Sequence, residues 1–146
     1  MITLNYKMVK ISYAICVCNE EREVKSLINF LLKVKDQEDE VNILFDSKNG
    51  TKEAKDVLES FGDKIVVNER EFDGKFSDHH NYHATKCSGD YIFVVDADEM
   101  PQEALIMNIK SFDGDIMYVP RINICPGYTA EWLDGHKFQL NEMGWI

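Results

Sequence analysis

The chain has 146 residues, of which 45% are hydrophobic and 11% aromatic, and this is enough for the core of one domain. Its 26 acidic residues outnumber its 16 lysines and arginines, and the formal net charge of −10 argues against binding to a nucleic-acid backbone. No apolar run approaches the length of a membrane span, and four cysteines without a Cys-x-x-Cys motif indicate free thiols in a reducing compartment. We therefore expect one cytoplasmic domain over residues 1–146.

Strands and helices alternate along the chain. The predicted strands are Lys10–Cys18, Val41–Phe45, Ile65–Val67, Tyr91–Val95 and Ile116–Val119. Helices are predicted between them, with Asn19 and Thr51 as caps of the first two, a third over Phe76–Cys87 and a fourth over Gln102–Ile109. Such βαβ units predict an α/β fold with a mostly parallel sheet covered on both faces.

The fourth predicted strand ends in an acidic segment. Five apolar residues are followed by Asp96, Asp98 and Glu99, and the apolar run is typical of a strand buried on both faces. If the extended geometry continues, Asp96 and Asp98 share a face and converge on one hard cation. Oxygen ligands of this kind suit Mg²⁺, which binds one or two carboxylates together with substrate phosphates. The alternative is a solvated acidic loop without a ligand.

Polar residues also follow the first two strands. Cys18, Asn19 and Glu20 come after the first, and Asp46 and Ser47 after the second. The carboxyl ends of parallel strands meet at one edge of a sheet, where ligands bind. A base and ribose can be held there by backbone groups near Cys18 and by Asp46. Local capping is the alternative role for Asn19 and Ser47, and a turn-forming role is equally open for Asp46.

The predicted third helix contains a cluster of histidines. His79 and His83 are spaced i, i+4, which can serve a metal ion, although His80 stands where a zincin has glutamate. A metal-binding α/β protein that uses the His79/His83 helix is therefore an alternative. The sequence contains no P-loop and no Gly-x-Gly-x-x-Gly after the first strand, which argues against those nucleotide sites.

Four segments, in order, resemble the family 2 glycosyltransferases of the GT-A fold, a three-layer α/β/α sandwich. They are Ile15–Glu21, the Asp46–Thr51 turn, Asn81–Ile92, and Val95–Glu99 with its Asp-Ala-Asp motif. The resemblance implies transfer of a sugar from a UDP-, GDP- or dTDP-sugar to a hydroxyl of a glycan, lipid or protein acceptor, with inversion and with Mg²⁺ or Mn²⁺. It assigns nucleotide-sugar binding to Cys18, Asn19, Glu20, Asp46, Ser47, Asp96 and Ala97, and the metal to Asp98 and Asp96.

The end of the chain departs from that family. Residues 121–146 lack clear periodicity, and we expect an irregular tail that forms the start of an absent acceptor region. Such a chain would be the N-terminal, donor-binding half of a longer protein. Self-association, or a partner that supplies the region, is also open. An inverting transferase needs a carboxylate base, and Asp134 or Glu131 in the tail is a candidate. A further alternative is a nucleotide-sugar-binding module without turnover of its own.

Overall fold

The structure is a computed structural model that describes residues 9–122 and 129–137. The chain divides into two compact units, Met1–Phe112 and Asp113–Ile146. The first contains four strands: β1 (Ile11–Val17), β2 (Glu40–Asp46), β3 (Val66–Arg70) and β4 (Tyr91–Val94). They form one parallel sheet in the order β3-β2-β1-β4. The prediction of an α/β fold with a mostly parallel sheet is confirmed.

The helices connect the strands as expected from the alternating pattern. The first unit contains α1 (Glu21–Val34), α2 (Lys52–Glu59), α3 (Phe76–Ala84) and α4 (Glu103–Asn108), with 3₁₀ turns at Gly62–Lys64 and Ile109–Ser111. The second unit contains α5 (Ala130–Gly135). Within the described ranges, no helix combines the length and apolar character that crossing a bilayer requires.

The two faces of the sheet differ in polarity because side chains alternate along each strand. One face packs on α1, α2 and α4 through an apolar core. Its members include Ile11, Tyr13, Ile15, Val17, Val41, Ile43 and Phe45 from the strands and Val24, Leu27, Ile28, Leu31, Ala54, Leu58 and Ile106 from the helices. The other face carries Ser12, Cys16 and Asn42, and both Cys16 and Asn42 contact His83 of α3. Helices therefore cover both faces, and the polar face is the one against α3.

The position of β4 differs from the prediction. Among the described strands β4 is at the edge of the sheet, and β1 and β2 are the strands buried on both faces. Tyr91, Ile92 and Val94 are correspondingly exposed, Val94 by 54%. The apolar composition of β4 is thus not matched by burial on both faces, because sheet order depends on long-range pairing that a local apolar run does not encode.

The fifth strand predicted at Ile116–Val119 is wrong. These residues adopt no regular secondary structure, and Ile116 and Tyr118 are 71% and 91% exposed. Apolar, β-branched composition favours a strand only where a neighbouring strand takes up its backbone hydrogen bonds. No described strand pairs with this segment.

Two predicted helix caps have opposite outcomes. Thr51 caps α2, since its Oγ1 accepts a hydrogen bond of 3.2 Å from the Ala54 amide. Asn19 does not cap α1, because Glu20 occupies the cap position and directs its carboxylate back to the preceding turn.

Gly50 is required for space and not for a positive φ, because a Cβ there would lie 2.4 Å from the Asp46 carbonyl oxygen.

Candidate functional site

The loops that follow β1, β2 and β4 lie at the same, carboxyl edge of the parallel sheet. Val17 pairs with Phe45 at the ends of β1 and β2. The Thr51 amide donates a 2.9 Å hydrogen bond to the Cys18 carbonyl oxygen, which ties the first two loops together. The chain leaving β4 continues the pairing with β1, since the Val95 amide donates to the Ala14 carbonyl oxygen. The segments singled out in the sequence therefore share one edge.

Glu20 organises the first of these loops. Its Oε2 accepts hydrogen bonds from the amides of Cys18, at 2.8 Å, and Asn19, at 3.0 Å. Burial, followed by the negative charges of Asp46 and Glu20, raises the pKa of the Cys18 thiol. These two carboxylates thus act on the same sulfur, and Asn19 itself is exposed to solvent.

Asp46 is only 6% exposed and holds its own turn together. Its Oδ1 accepts hydrogen bonds from the amides of Lys48, Asn49 and Phe72, and its Oδ2 accepts one from Asn49 Nδ2 at 2.8 Å. Burial alone raises the pKa of this carboxyl, but the four hydrogen bonds outweigh it and the net pKa is lowered. The turn-forming role is observed, and Oδ2 retains capacity for one further donor.

Ser47, the next residue, is exposed, and its amide donates to the Arg70 carbonyl oxygen at 3.2 Å. This backbone bond links the loop after β2 to the end of β3. The Ser47 side chain makes no hydrogen bond to the rest of the described structure.

The acidic segment after β4 forms a turn and not a continued strand. The strand ends at Val94, and the Glu99 amide donates to the Asp96 carbonyl oxygen at 3.0 Å. Burial nevertheless alternates, since Val95 and Ala97 are buried whereas Asp96 and Asp98 are exposed. The expected reason for pairing the two aspartates, a persisting strand, is therefore wrong. Their shared exposure comes from the buried Val95 and Ala97 that anchor the turn.

Asp98 and Asp96 fit a hard divalent cation by their chemistry. Asp98 makes no hydrogen bond or ion pair with any residue that the structure describes, so its oxygens are available to a ligand. Across residues 9–122 and 129–137, no group of three or more His, Cys, Asp or Glu side chains forms a preformed metal centre. Magnesium commonly uses only one or two protein carboxylates and completes its shell with phosphate oxygens and water. These residues therefore suit a cation that arrives with a diphosphate.

The thiol of Cys16 is affected by the charges of both the acidic turn and the first loop. Burial, followed by the negative charges of Asp96, Cys87 and Glu20, raises the pKa of the Cys16 thiol to about 11. Asp96 and Glu20 therefore act on one sulfur, as Glu20 and Asp46 act on Cys18. The carboxylates of both loops therefore raise the pKa of neighbouring thiols on β1 and at its end.

Asp134, the candidate base, lies on α5 of the second unit and is exposed, as is Glu131. Trp132, on the same helix, stacks on His136 with ring centroids 3.9 Å apart. The assignment of a catalytic base stays a prediction.

The three histidines of α3 contact different neighbours. His79 is buried edge-on against Phe72, with its Nδ1 lacking a partner in the described structure. His83 instead contacts Asn42 and Cys16, and His80 contacts Cys16. The sequence prediction missed Cys16 and Asn42 as neighbours of these rings. Strand alternation was the available signal, since both residues lie on the sheet face opposite the apolar core.

Solved structures of S. aureus TarS resemble this fold. TarS 1-349 matches with a TM-score of 0.58 and 20% identity over 70% of this chain and 31% of that one. The same fragment in complex with UDP-GlcNAc matches with a TM-score of 0.58 and 20% identity, over 70% of this chain and 30% of that one. A further TarS structure matches with a TM-score of 0.57 and 19% identity, over 70% of this chain and 19% of that one. The chain thus spans less than a third of these TarS chains, and likeness at this identity concerns the fold.

The family comparison covers more of the chain. No curated protein sequence matches it significantly. The model of glycosyl transferase family 2, in contrast, matches residues 12–141, which include every loop of the carboxyl edge. The α/β architecture, the shared edge and this match agree with the resemblance inferred from the motifs. The chain therefore belongs to glycosyl transferase family 2 and has its GT-A fold.

Proposed function

We propose that this chain binds a nucleoside-diphosphate sugar at the carboxyl edge of its sheet and transfers the sugar, with inversion, to a hydroxyl of a glycan, lipid or protein acceptor. The observation that carries the proposal is the exposed carboxylate of Asp98, which has no partner among the described residues and lies at the same carboxyl edge as the loops that follow β1 and β2. Family membership supports the reaction class. The UDP-GlcNAc complex of TarS makes a UDP-sugar the first donor to test, before GDP- and dTDP-sugars.

The nucleoside is assigned to the loops after β1 and β2. Asp46 Oδ2 retains capacity for one donor from the base or ribose, and the turn that Asp46 closes holds it rigidly. Cys18, Asn19, Glu20 and Ser47 line the same loops, and the Glu20 carboxylate fixes the backbone of the first. A binding surface built on hydrogen-bonded turns is preorganised, which lowers the entropic cost of binding.

The diphosphate is assigned to the acidic turn. Asp98 and Asp96 would hold Mg²⁺ or Mn²⁺, which when bound stabilises the negative charge of the departing diphosphate. Ala97, buried between them, keeps both carboxylates at the surface. Asp134 stays the candidate for deprotonating the acceptor, and a cytoplasmic location agrees with a soluble nucleotide-sugar donor.

Thermal shift with UDP-, GDP- and dTDP-sugars, with and without Mn²⁺, tests this proposal. A ligand that binds the folded state raises the melting temperature by mass action. We expect a metal-dependent shift with one donor, and Asp98→Asn to weaken that binding by about tenfold or more without loss of fold. Asp63→Asn is the matched control, because Asp63 is exposed and precedes β3 at the opposite edge of the sheet. An Asp98→Asn variant that responds like the wild type would contradict the metal assignment.

A second candidate is a nucleotide-sugar-binding module without turnover of its own. The partial match to TarS favours this candidate, because the matched TarS chains are more than three times as long as the segment that matches. Release of free nucleoside diphosphate, measured by chromatography after incubation with the donor that gives a thermal shift, separates the two candidates. Slow release that Asp98→Asn abolishes supports transfer, and binding without any release supports the module.

A further inference from the structure

Cys16, His80 and His83 meet between the sheet and α3, on the face opposite the apolar core. Cys16 Sγ lies 3.7 Å from His83 Nδ1 and 3.9 Å from His80 Nδ1. Cys16 projects from β1, and the two histidines are one helical turn apart on α3. We propose that these three side chains bind one divalent cation of borderline softness, such as Zn²⁺, at a site separate from the Asp96–Asp98 turn.

Hydrogen bonds fix the ring of His83 in the tautomer that such a site requires. Asn42 Nδ2 donates to the Lys86 carbonyl oxygen at 2.9 Å, so Asn42 Oδ1 is an acceptor. This Oδ1 lies 3.1 Å from His83 Nε2, which therefore carries the hydrogen. A neutral imidazole has one N–H, so His83 Nδ1 presents its lone pair to Cys16 Sγ. An outer hydrogen bond from the second ring nitrogen is the usual support of a metal-bound histidine.

Asn42 is itself held in place. It is fully buried, and its Oδ1 accepts a second hydrogen bond, of 3.0 Å, from Asn68 Nδ2. The amide therefore cannot rotate to offer its nitrogen to His83 without losing the bonds to Lys86 and Asn68. His83, 2% exposed, is thus preset as a nitrogen ligand before any ion binds.

The two sulfur–nitrogen separations are close to those of a tetrahedral zinc centre. Bond lengths of about 2.3 Å to sulfur and about 2.0 Å to nitrogen place the two donor atoms about 3.5 Å apart. The observed separations exceed that value by a few tenths of an ångström, and the three donors are not yet closed around a common point. His80 is half-buried, and binding of an ion requires the three donors to close by these few tenths of an ångström.

The donor set selects the kind of cation. A thiolate with two imidazoles suits Zn²⁺ and disfavours Mg²⁺, which prefers oxygen ligands. Burial and then the charges of Asp96, Cys87 and Glu20 raise the pKa of the Cys16 thiol, so an ion must displace the thiol proton when it binds. On binding, the thiol loses its proton to solvent and the sulfur–metal bond forms, while both imidazoles stay neutral. This site rests on these contacts and not on the proposed transfer of a sugar.

Titration of the full chain with Co²⁺, a spectroscopic substitute for Zn²⁺, tests the sulfur ligand. We expect one equivalent to give a thiolate-to-cobalt charge-transfer band, displaced by Zn²⁺ and unaffected by excess Mg²⁺. Cys16→Ser abolishes the band, whereas Cys87→Ser and Cys125→Ser retain it. The absence of a band in the wild type, or a band that persists in Cys16→Ser, overturns the site.

The histidine ligands need their own variant pair. His80→Gln is expected to weaken Zn²⁺ affinity by about tenfold or more, measured by competition with a chromogenic chelator. His79→Gln is the matched control, because His79 lies on the same helix without a contact to Cys16, and its affinity should equal the wild type. Equal losses in the two variants overturn the assignment. If Cys16→Ser does not fold, as judged by circular dichroism, His80→Gln decides the outcome, since residue 80 is half-buried.

Discussion

At the residue scale, Asp46 shows how a predicted ligand can also be a structural residue. The sequence left a turn-forming role and a ligand role open, and the structure shows four hydrogen bonds to this carboxylate. Three backbone amides converge on Oδ1 and the Asn49 side chain donates to Oδ2. The loop after β2 therefore depends on this one side chain, whatever ligand it also meets.

Exchanging the roles of Asp46 and Asn49 tests this arrangement. Asp46→Asn places an amide NH₂ against Asn49 Nδ2, so two donors face each other and one bond is lost. We expect a loss of about 1–2 kcal/mol in the free energy of unfolding, measured by urea denaturation. The double variant Asp46→Asn/Asn49→Asp restores a donor–acceptor pair and should recover much of that loss. A double variant no more stable than the single one would contradict this account.

At the element scale, the polar face of the sheet determines how α3 packs. Asn42 of β2 bonds to the Lys86 carbonyl that follows α3, to His83 within α3, and to Asn68 of β3. A single buried amide therefore joins two strands to one helix. Histidine spacing alone suggested the pair His79 and His83, but the polar residues of the facing strands determine which rings come together.

Removing the Asn42 amide should loosen α3 more than the rest of the fold. Asn42→Ala leaves one carbonyl and two donors unsatisfied in a buried site, and we expect a loss of about 3 kcal/mol or more in the free energy of unfolding. Asn29→Ala is the control, because the Asn29 amide donates to Lys25 on the exposed side of α1 and its loss should cost well under that. Hydrogen exchange that is unchanged along Phe76–Ala84 in Asn42→Ala would argue against the coupling.

At the scale of the whole molecule, buried histidines make stability depend on pH. Burial lowers the pKa of His83 from its ordinary 6.5 to about 4, an effect that the positive charges of His80 and His79 strengthen. Burial and the charge of Arg70 also lower the pKa of His79. The unfolded chain therefore binds protons in this range that the folded chain does not. The contribution of neutral His83 to the stability of the fold is fully present above pH 6.5 and is lost as the pH falls to about 4.

In the presence of EDTA, the free energy of unfolding should decrease as the pH falls from 6.5 to about 4. We expect His83 to contribute a decrease on the order of 2 kcal/mol, after allowance for partial solvent screening. His83→Gln should show a shallower dependence on pH than the wild type under the same conditions. A nuclear magnetic resonance titration in which His83 of the folded protein has a midpoint near 6.5 would be incompatible with this explanation.

Sequence periodicity was sufficient for the kind and order of most elements. Strand alternation in β1 and the helical stripe from Val24 to Leu32 are local patterns, and an amphipathic segment adopts the structure that buries its apolar side. The cap at Thr51 follows from neighbouring atoms in the same way. Parallel pairing then requires all carboxyl ends to share one edge, so the placement of the loops after β1, β2 and β4 at that edge was predictable without coordinates.

The tertiary structure alone decided which segments become neighbours. β4 is at the edge of the described sheet and Ile116–Val119 pairs with no described strand, because sheet order and pairing depend on contacts between distant parts of the chain. The meeting of Cys16 with His80 and His83 has the same origin, since 64 and 67 residues separate the sulfur from the two rings. Local sequence therefore determined the elements and the shared edge, whereas long-range packing determined the environment of each side chain, because burial and hydrogen bonding are properties of the assembled fold.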